Sequence, residues 1–385
     1  MYSQDEINSA VAAGALSQDA ADALRSHVVA LRHRPVTDEE HFRLINSFND
    51  IFVAIGAIIM LVAAGAIGQA IASGIFPTPT YSGSDMGNAA WQAYRAEKDF
   101  SEYMQMLFMA ILVAGTAWPL AEFFTRKRRM ALPSILLLIA FVGGVFAACV
   151  AGALALIDGA GDNKDQIGAA MIAISGLVAA GAAWAHWRRF MVPITVAAGA
   201  AGMAITAVGL LLAALNPEQS SDTEALLFSL IFIAGLCIFG FAMWWDMSDR
   251  ERKTRRADVA FWLHLLAAPM IAHPVFHLLG VTDGRSIGVG AALAVLVVYI
   301  LFGLVALAID RRALLVSALA YVLVALTYLF DEFGAVELNV ALTALVIGSA
   351  LLSLSAFWSP IRSRLVSFLP GGMQDRLPVT AALPA

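Results

Sequence analysis

Ten stretches of this chain are apolar over roughly the length of a bilayer crossing, and no other feature limits its fold so sharply. A hydrocarbon core of about 30 Å takes about 20 helical residues at a rise of about 1.5 Å each. The stretches cover residues 51–75, 103–124, 131–157, 167–187, 190–215, 223–245, 258–280, 286–309, 313–330 and 338–358. In lipid a backbone must satisfy its own hydrogen bonds, so runs of this length are read as helices. Composition agrees. The 385 residues are 60% hydrophobic and 14% charged, where a soluble domain is nearer roughly half apolar and a quarter charged. The expected fold is all-α, a polytopic membrane bundle of about ten transmembrane helices.

The basic residues assign a direction to the spans. One set of connections holds Arg25, Arg32, Arg34 and Arg43, then the four residues Arg126 to Arg129, then Arg188 and Arg189. It continues with Arg250, Arg252, Lys253, Arg255 and Arg256, with Arg311 and Arg312, and with Arg362, Arg364 and Arg376. The opposite set has only Arg95, Lys98, Lys164 and Arg285. Twenty of the 24 Lys and Arg thus share one side, which predicts both termini in the cytoplasm. Acidic residues gather on the other side, among them Asp158, Asp162, Asp165, Glu218, Asp331 and Glu337.

Three regions follow: residues 1–50 as a cytoplasmic and interfacial helical segment, 51–358 as the ten-span domain, and 359–385 as a disordered cytoplasmic tail. The first 45 residues are polar and show no signal peptide of the cleavable kind. "SQDE" at Ser3–Glu6 is a capping box, and its helix should stop near Gly14. A second helix from Ser17 should carry Ala20, Leu24, Val28 and Leu31 on one face and end before Pro35. A further box, "TDEE" at Thr37–Glu40, leads through Phe42, Ile45, Phe48 and Phe52 into the first span. The segment reads either as a docking or sensing module or as a cap over the inner loops. On the other side, "AAWQAYRAEKDFSEYM" is expected as a short helix lying on the outer surface.

Four inner turns share one form, "RRMALPS", "RRFMVPI", "RRADVAF" and "RRALLVS", each one hairpin after the last. Hairpin duplication explains them, and so does the positive-inside rule alone. Small residues at four-residue spacing, Ala64, Gly68 and Ala72 or Gly144, Ala148 and Gly152, predict close helix approach. Cys149 and Cys237 have no CxxC partner and read as packing residues.

Candidate functional residues concentrate in the seventh span, "FWLHLLAAPMIAHPVFHLL". No other span carries ionisable groups well inside its apolar run. His264 falls in the inner half, His273 and His277 in the outer half on one face, and Pro269 and Pro274 between them are expected to bend or unwind the helix. Three readings stand. His273 and His277 line a proton or solute pathway; one histidine holds a haem, with His186 as a partner at matching depth; or the histidines bond to neighbouring helices and the prolines shape the bundle. Zinc would suit two His at i and i+4, but no third ligand is in sight, so no metal is expected. Asn46, Asn49 and Asp50, where the first span meets the cytoplasm, either form a polar inner mouth or cap and anchor the helix.

No Walker A, GxSxG, HExxH or DFG pattern is present, which disfavours an ATPase, a serine hydrolase or a zinc protease. The apolar composition leaves no sizeable soluble domain for nucleic acid. "GALSQDAADAL", Gly14 to Leu24, with "FNDIFV" and "HLLAAP", resembles bacterial predicted multi-pass inner-membrane proteins of unknown function, in which a short cytoplasmic helical pair precedes about ten spans. The resemblance implies a bacterial inner membrane and no particular chemistry. The expected partners are the lipid bilayer and either a small solute or another membrane protein, and no cofactor is expected unless the haem reading holds. The leading expectation is a permease-like transporter, proton-linked through His273 and His277. The alternative is a non-transporting subunit, sensor or assembly factor that docks a partner through its N-terminal helices.

Overall fold

The computed structural model describes residues 4–33, 48–80, 87–157, 164–215, 221–281, 288–333 and 338–379. Among them every regular element is helical. Two short helices, α1 (Gln4–Ala12) and α2 (Gln18–His33), come first. The spans follow as α3 (Phe48–Ile75), α4 (Asn88–Ala121), α5 (Ala131–Ile157), α6 (Lys164–Phe190), α7 (Ile194–Leu215), α8 (Ser221–Met247), α9 (Arg255–Leu278), α10 (Val289–Ile309), α11 (Ala313–Glu332) and α12 (Asn339–Ala356). Two more, α13 (Trp358–Ser367) and α14 (Gly371–Gln374), close the chain. Ten helices among the described residues are long and apolar enough to cross a membrane, one for each apolar stretch. The protein is a polytopic, all-α membrane protein. Successive spans alternate in direction, so one end of the bundle collects the Arg-rich turns; it is called the basic end below.

Several expectations are corrected. The surface helix before the second span does not exist as a separate element: α4 runs unbroken from Asn88. No Gly or Pro interrupts residues 88–114, so nothing stops the hydrogen-bond ladder from continuing past the apolar stretch. The extension is held against the chain leaving α3, where Ser101 donates to the Phe76 carbonyl at 2.7 Å and Phe76 packs edge-on against Phe100 and Phe108. The tail after Ser359 is not disordered over its described part. It forms α13 and α14, buries Trp358, Arg362 and Val366, and ends with Leu377 in the core. In α2, among the side chains described, Ala21 is buried whereas Ala20 and Leu24 of the expected face are exposed. The start of α2 is as expected, with Ser17 Oγ accepting from the Ala20 amide at 3.2 Å. The "TDEE" box lies outside the described residues.

Spans α3 to α7 pack on one another in chain order; in the second group α8 packs on α9, while α9, α10 and α12 all pack on α11. The two groups of five meet where α7 lies against α8 and α9. Small residues allow the closest approaches, as expected at Gly68, where an added Cβ would sit 2.6 Å from the Phe108 carbonyl oxygen. The seam of α6 on α7 was not expected: Gly176 and Gly202 face each other, each within 2.8 Å of the other's carbonyl once a Cβ is added.

Each of the four basic-end turns contains one residue of left-handed backbone, though not at the same place in its motif. Arg129, Met191, Arg252 and Asp310 all adopt the left-handed conformation, with φ between 52° and 57°. Such a residue caps a helix by turning the chain sharply, at a cost of order 1–3 kcal/mol for a non-glycine. The α4–α5 turn is preceded by a π-helical segment, Glu122–Lys127, whose Glu122 bonds Arg189 at the end of α6.

Candidate functional site

α9 is the most enclosed of the ten spans. It is 56% buried over its apolar window, against at most 33% for any other. It packs on α7, α8 and α11, and Leu263, Ala267, Ala272 and Phe276 are wholly within the protein. Despite Pro269 and Pro274 it is helical from Arg255 to Leu278, started by Thr254, whose hydroxyl accepts from the Arg256 amide at 3.2 Å. Of the expected bending or unwinding, unwinding does not occur: each proline removes one amide donor, but helices packed on three sides hold the rest of the ladder. Pro269 points outward and Pro274 is buried.

At the basic end α9 is charged and dry. His264 Nε2 lies 2.9 Å from Asp246 Oδ2 on α8, and both side chains are about as buried as any in the protein, at 2% and 1% exposed. Arg311, in the α10–α11 turn, reaches the same carboxylate with Nη2 at 2.6 Å from Oδ1 and Nε at 3.3 Å from Oδ2. It also donates to the Ala257 carbonyl of α9 at 3.1 Å. One carboxylate thus ties three elements together. His264 Nδ1 has no partner among the described residues, and Phe239 closes edge-on against the ring. With Nε2 donating to Asp246, Nδ1 of a neutral imidazole is a bare acceptor, the less costly group to leave dry; an imidazolium would strand an N–H there.

A second hub covers this one. Asp310 accepts from Arg252 Nη1 at 2.7 Å and from the Trp358 indole at 2.7 Å, and Arg362 lies 3.7 Å away. The final segment is strapped over the α8–α9 turn: Arg250 donates to the Leu377 and Gln374 carbonyls, and Arg362 to the Pro378 carbonyl at 2.7 Å. These arginines, read as topological markers, also act as structural donors.

The other end of α9 is built differently. His273 is exposed, and its Nδ1 shares a short hydrogen bond with the Tyr321 hydroxyl of α11. His277 is half-buried, with Nε2 3.8 Å from Glu224 of α8. Phe228 touches both rings, at centroid distances of 5.4 Å and 4.1 Å. Between α8 and α9 a groove of about 390 Å³ opens here, lined by Phe228, Ser229, Phe232, Pro274, Val275 and His277. It is apolar and lies beyond the midpoint of α9, where a polar cavity would be expected of a solute path.

The predicted residues therefore separate. His277 and Pro274 line the groove, and His273 meets its edge only through the shared Phe228 ring; His264 belongs to the buried network nine residues, roughly 13 Å, from His273 along the helix. His186 and His264, paired by depth in the haem reading, occupy different environments. His186 is wholly buried in a box of Trp118, Phe141 and Phe190, with Nδ1 3.3 Å from the Thr195 hydroxyl. Asn46 lies outside the described residues, Asn49 is exposed, and Asp50 is buried in the first turn of α3. Sequence reasoning did not single out Asp246, Arg311 or Tyr321 as site residues. Only Asp246 left a trace, as a carboxylate one residue past an apolar stretch. Comparison with family models, with curated proteins and with solved structures returns no match.

Proposed function

We propose that the protein is a permease-like carrier of a bacterial inner membrane, with the basic end in the cytoplasm. In this reading the working element is α9. The observation that carries it is the asymmetry of one enclosed helix: ion pairs seal it at the basic end, while titratable side chains border a groove at the other. A carrier with one mouth closed has this form, and ionisable groups inside a membrane are costly enough to mark function. His273, with Tyr321, and His277, with Glu224, would exchange protons with the far side. The sidedness of Lys and Arg supports the orientation.

A non-transporting subunit is the second reading. It is favoured by the unbroken α9 and by the fact that all three of its histidines have side-chain partners on neighbouring helices. Reconstituted liposomes separate the two. With an imposed membrane potential and a pH-sensitive dye inside, the carrier reading expects proton entry above the protein-free leak, lowered in the His273→Ala/His277→Ala variant. Entry equal to the leak for the unaltered protein decides for the subunit.

A further inference from the structure

At the basic end of the bundle, on the side away from α8, a second cleft opens between α11 and α12, about 180 Å³ in volume. Its walls are Leu315, Val316 and Leu319 of α11 and Leu351 and Leu354 of α12, with Trp358 of α13 at its base. Arg312 stands at the mouth with its guanidinium 4.7 Å over the Trp358 ring. α12 is the least enclosed span, 11% buried, so the cleft faces the bilayer.

The neighbouring charges are already committed. Arg311 serves Asp246, and Asp310 accepts from Arg252 and from the Trp358 indole. Arg312 has no carboxylate at ion-pair distance among the described residues; its partner is an aromatic face. A guanidinium fixed in that way keeps its donor fork for two oxygens of an oxyanion such as phosphate. The indole that it covers is itself held by a hydrogen bond, so the platform is preformed.

We infer that this cleft binds an anionic phospholipid, with an acyl chain between α11 and α12 and the headgroup phosphate on Arg312. The chain supplies what the leucine walls lack, an apolar partner on the open side, and the phosphate neutralises the uncommitted cation. Basic side chains beside clefts between membrane helices recognise acidic headgroups in this manner. The site is independent of the histidine groove and of whether the protein transports anything.

The test is native mass spectrometry of the full-length protein, delipidated in detergent and titrated with phosphatidylglycerol or phosphatidylcholine. Phosphatidylglycerol should be retained about fivefold better, the effect of one basic residue at a membrane surface. Arg312→Gln should abolish the preference and Arg312→Lys should keep most of it. Leu319→Trp, which fills the cleft while sparing Arg312, should lower retention of the lipid. Equal retention of the two lipids, or an unchanged preference in Arg312→Gln, overturns the site. Displacement of the lipid by millimolar inorganic phosphate would show headgroup binding without the chain, and would overturn it as well.

Discussion

The two ends of α9 solve the same problem in opposite ways. Each must place a histidine in a helix that otherwise belongs to the membrane interior. At the basic end the imidazole is dry, and a carboxylate and a guanidinium from two other elements neutralise each other around it. At the far end the imidazoles sit at the protein's edge, His273 against a tyrosine hydroxyl and His277 3.8 Å from the exposed carboxylate of Glu224, in place of a buried ion pair. The difference teaches where the energy lies. A buried charged network is costly to disturb because removing one member strands the others, whereas an exposed pair loses little.

The largest expected effect follows from that asymmetry. Arg311→Met leaves Asp246 buried beside a neutral imidazole, and unfolding of the detergent-purified protein followed by tryptophan fluorescence should show a loss of about 3–5 kcal/mol. His264→Leu keeps the Asp246–Arg311 pair and removes one bond to a charged acceptor, so the same assay should register about 1–3 kcal/mol. Tyr321→Phe deletes the hydroxyl that orients His273 and should cost about 1 kcal/mol, with a larger effect on His273 reactivity toward diethyl pyrocarbonate than on stability. Glu224→Gln should be neutral within about 0.5 kcal/mol, as for most surface positions. If Glu224→Gln proved as damaging as Arg311→Met, the contrast between the two ends would collapse.

The sequence exposed these features unevenly, for physical reasons. The ten spans were legible because length and hydropathy are sums over neighbours in the chain. The extension of α4 was legible as a helix but not as part of the span, since residues 88–102 are not apolar and only the missing helix breakers announce the continuity. The tail was misjudged on its Pro and Gly content; what folds it is Arg250 and Arg362, donors to carbonyls that no local pattern reveals. His264 was visible as a titratable group inside a span, but Asp246 lies 18 residues before it and Arg311 65 residues after Asp246. Asp246, one residue past its apolar stretch, has no local pattern that announces either partner. His273 and His277 were correctly placed together, because four residues of helix put two side chains on one face whatever surrounds them.

Site-directed labelling tests most directly the claim that ion pairs close the basic end. In a background with Cys149 and Cys237 replaced by alanine, single cysteines are placed at Ala260, buried beside the Asp246 network, and at Val275, in the groove. The rate of modification by a membrane-impermeant maleimide is then measured from each side. The account predicts that Val275→Cys reacts, from the far side only. Ala260→Cys should stay unlabelled until Arg311→Met is added, and should then react from the basic side. Rapid labelling of Ala260→Cys with Arg311 in place would contradict it.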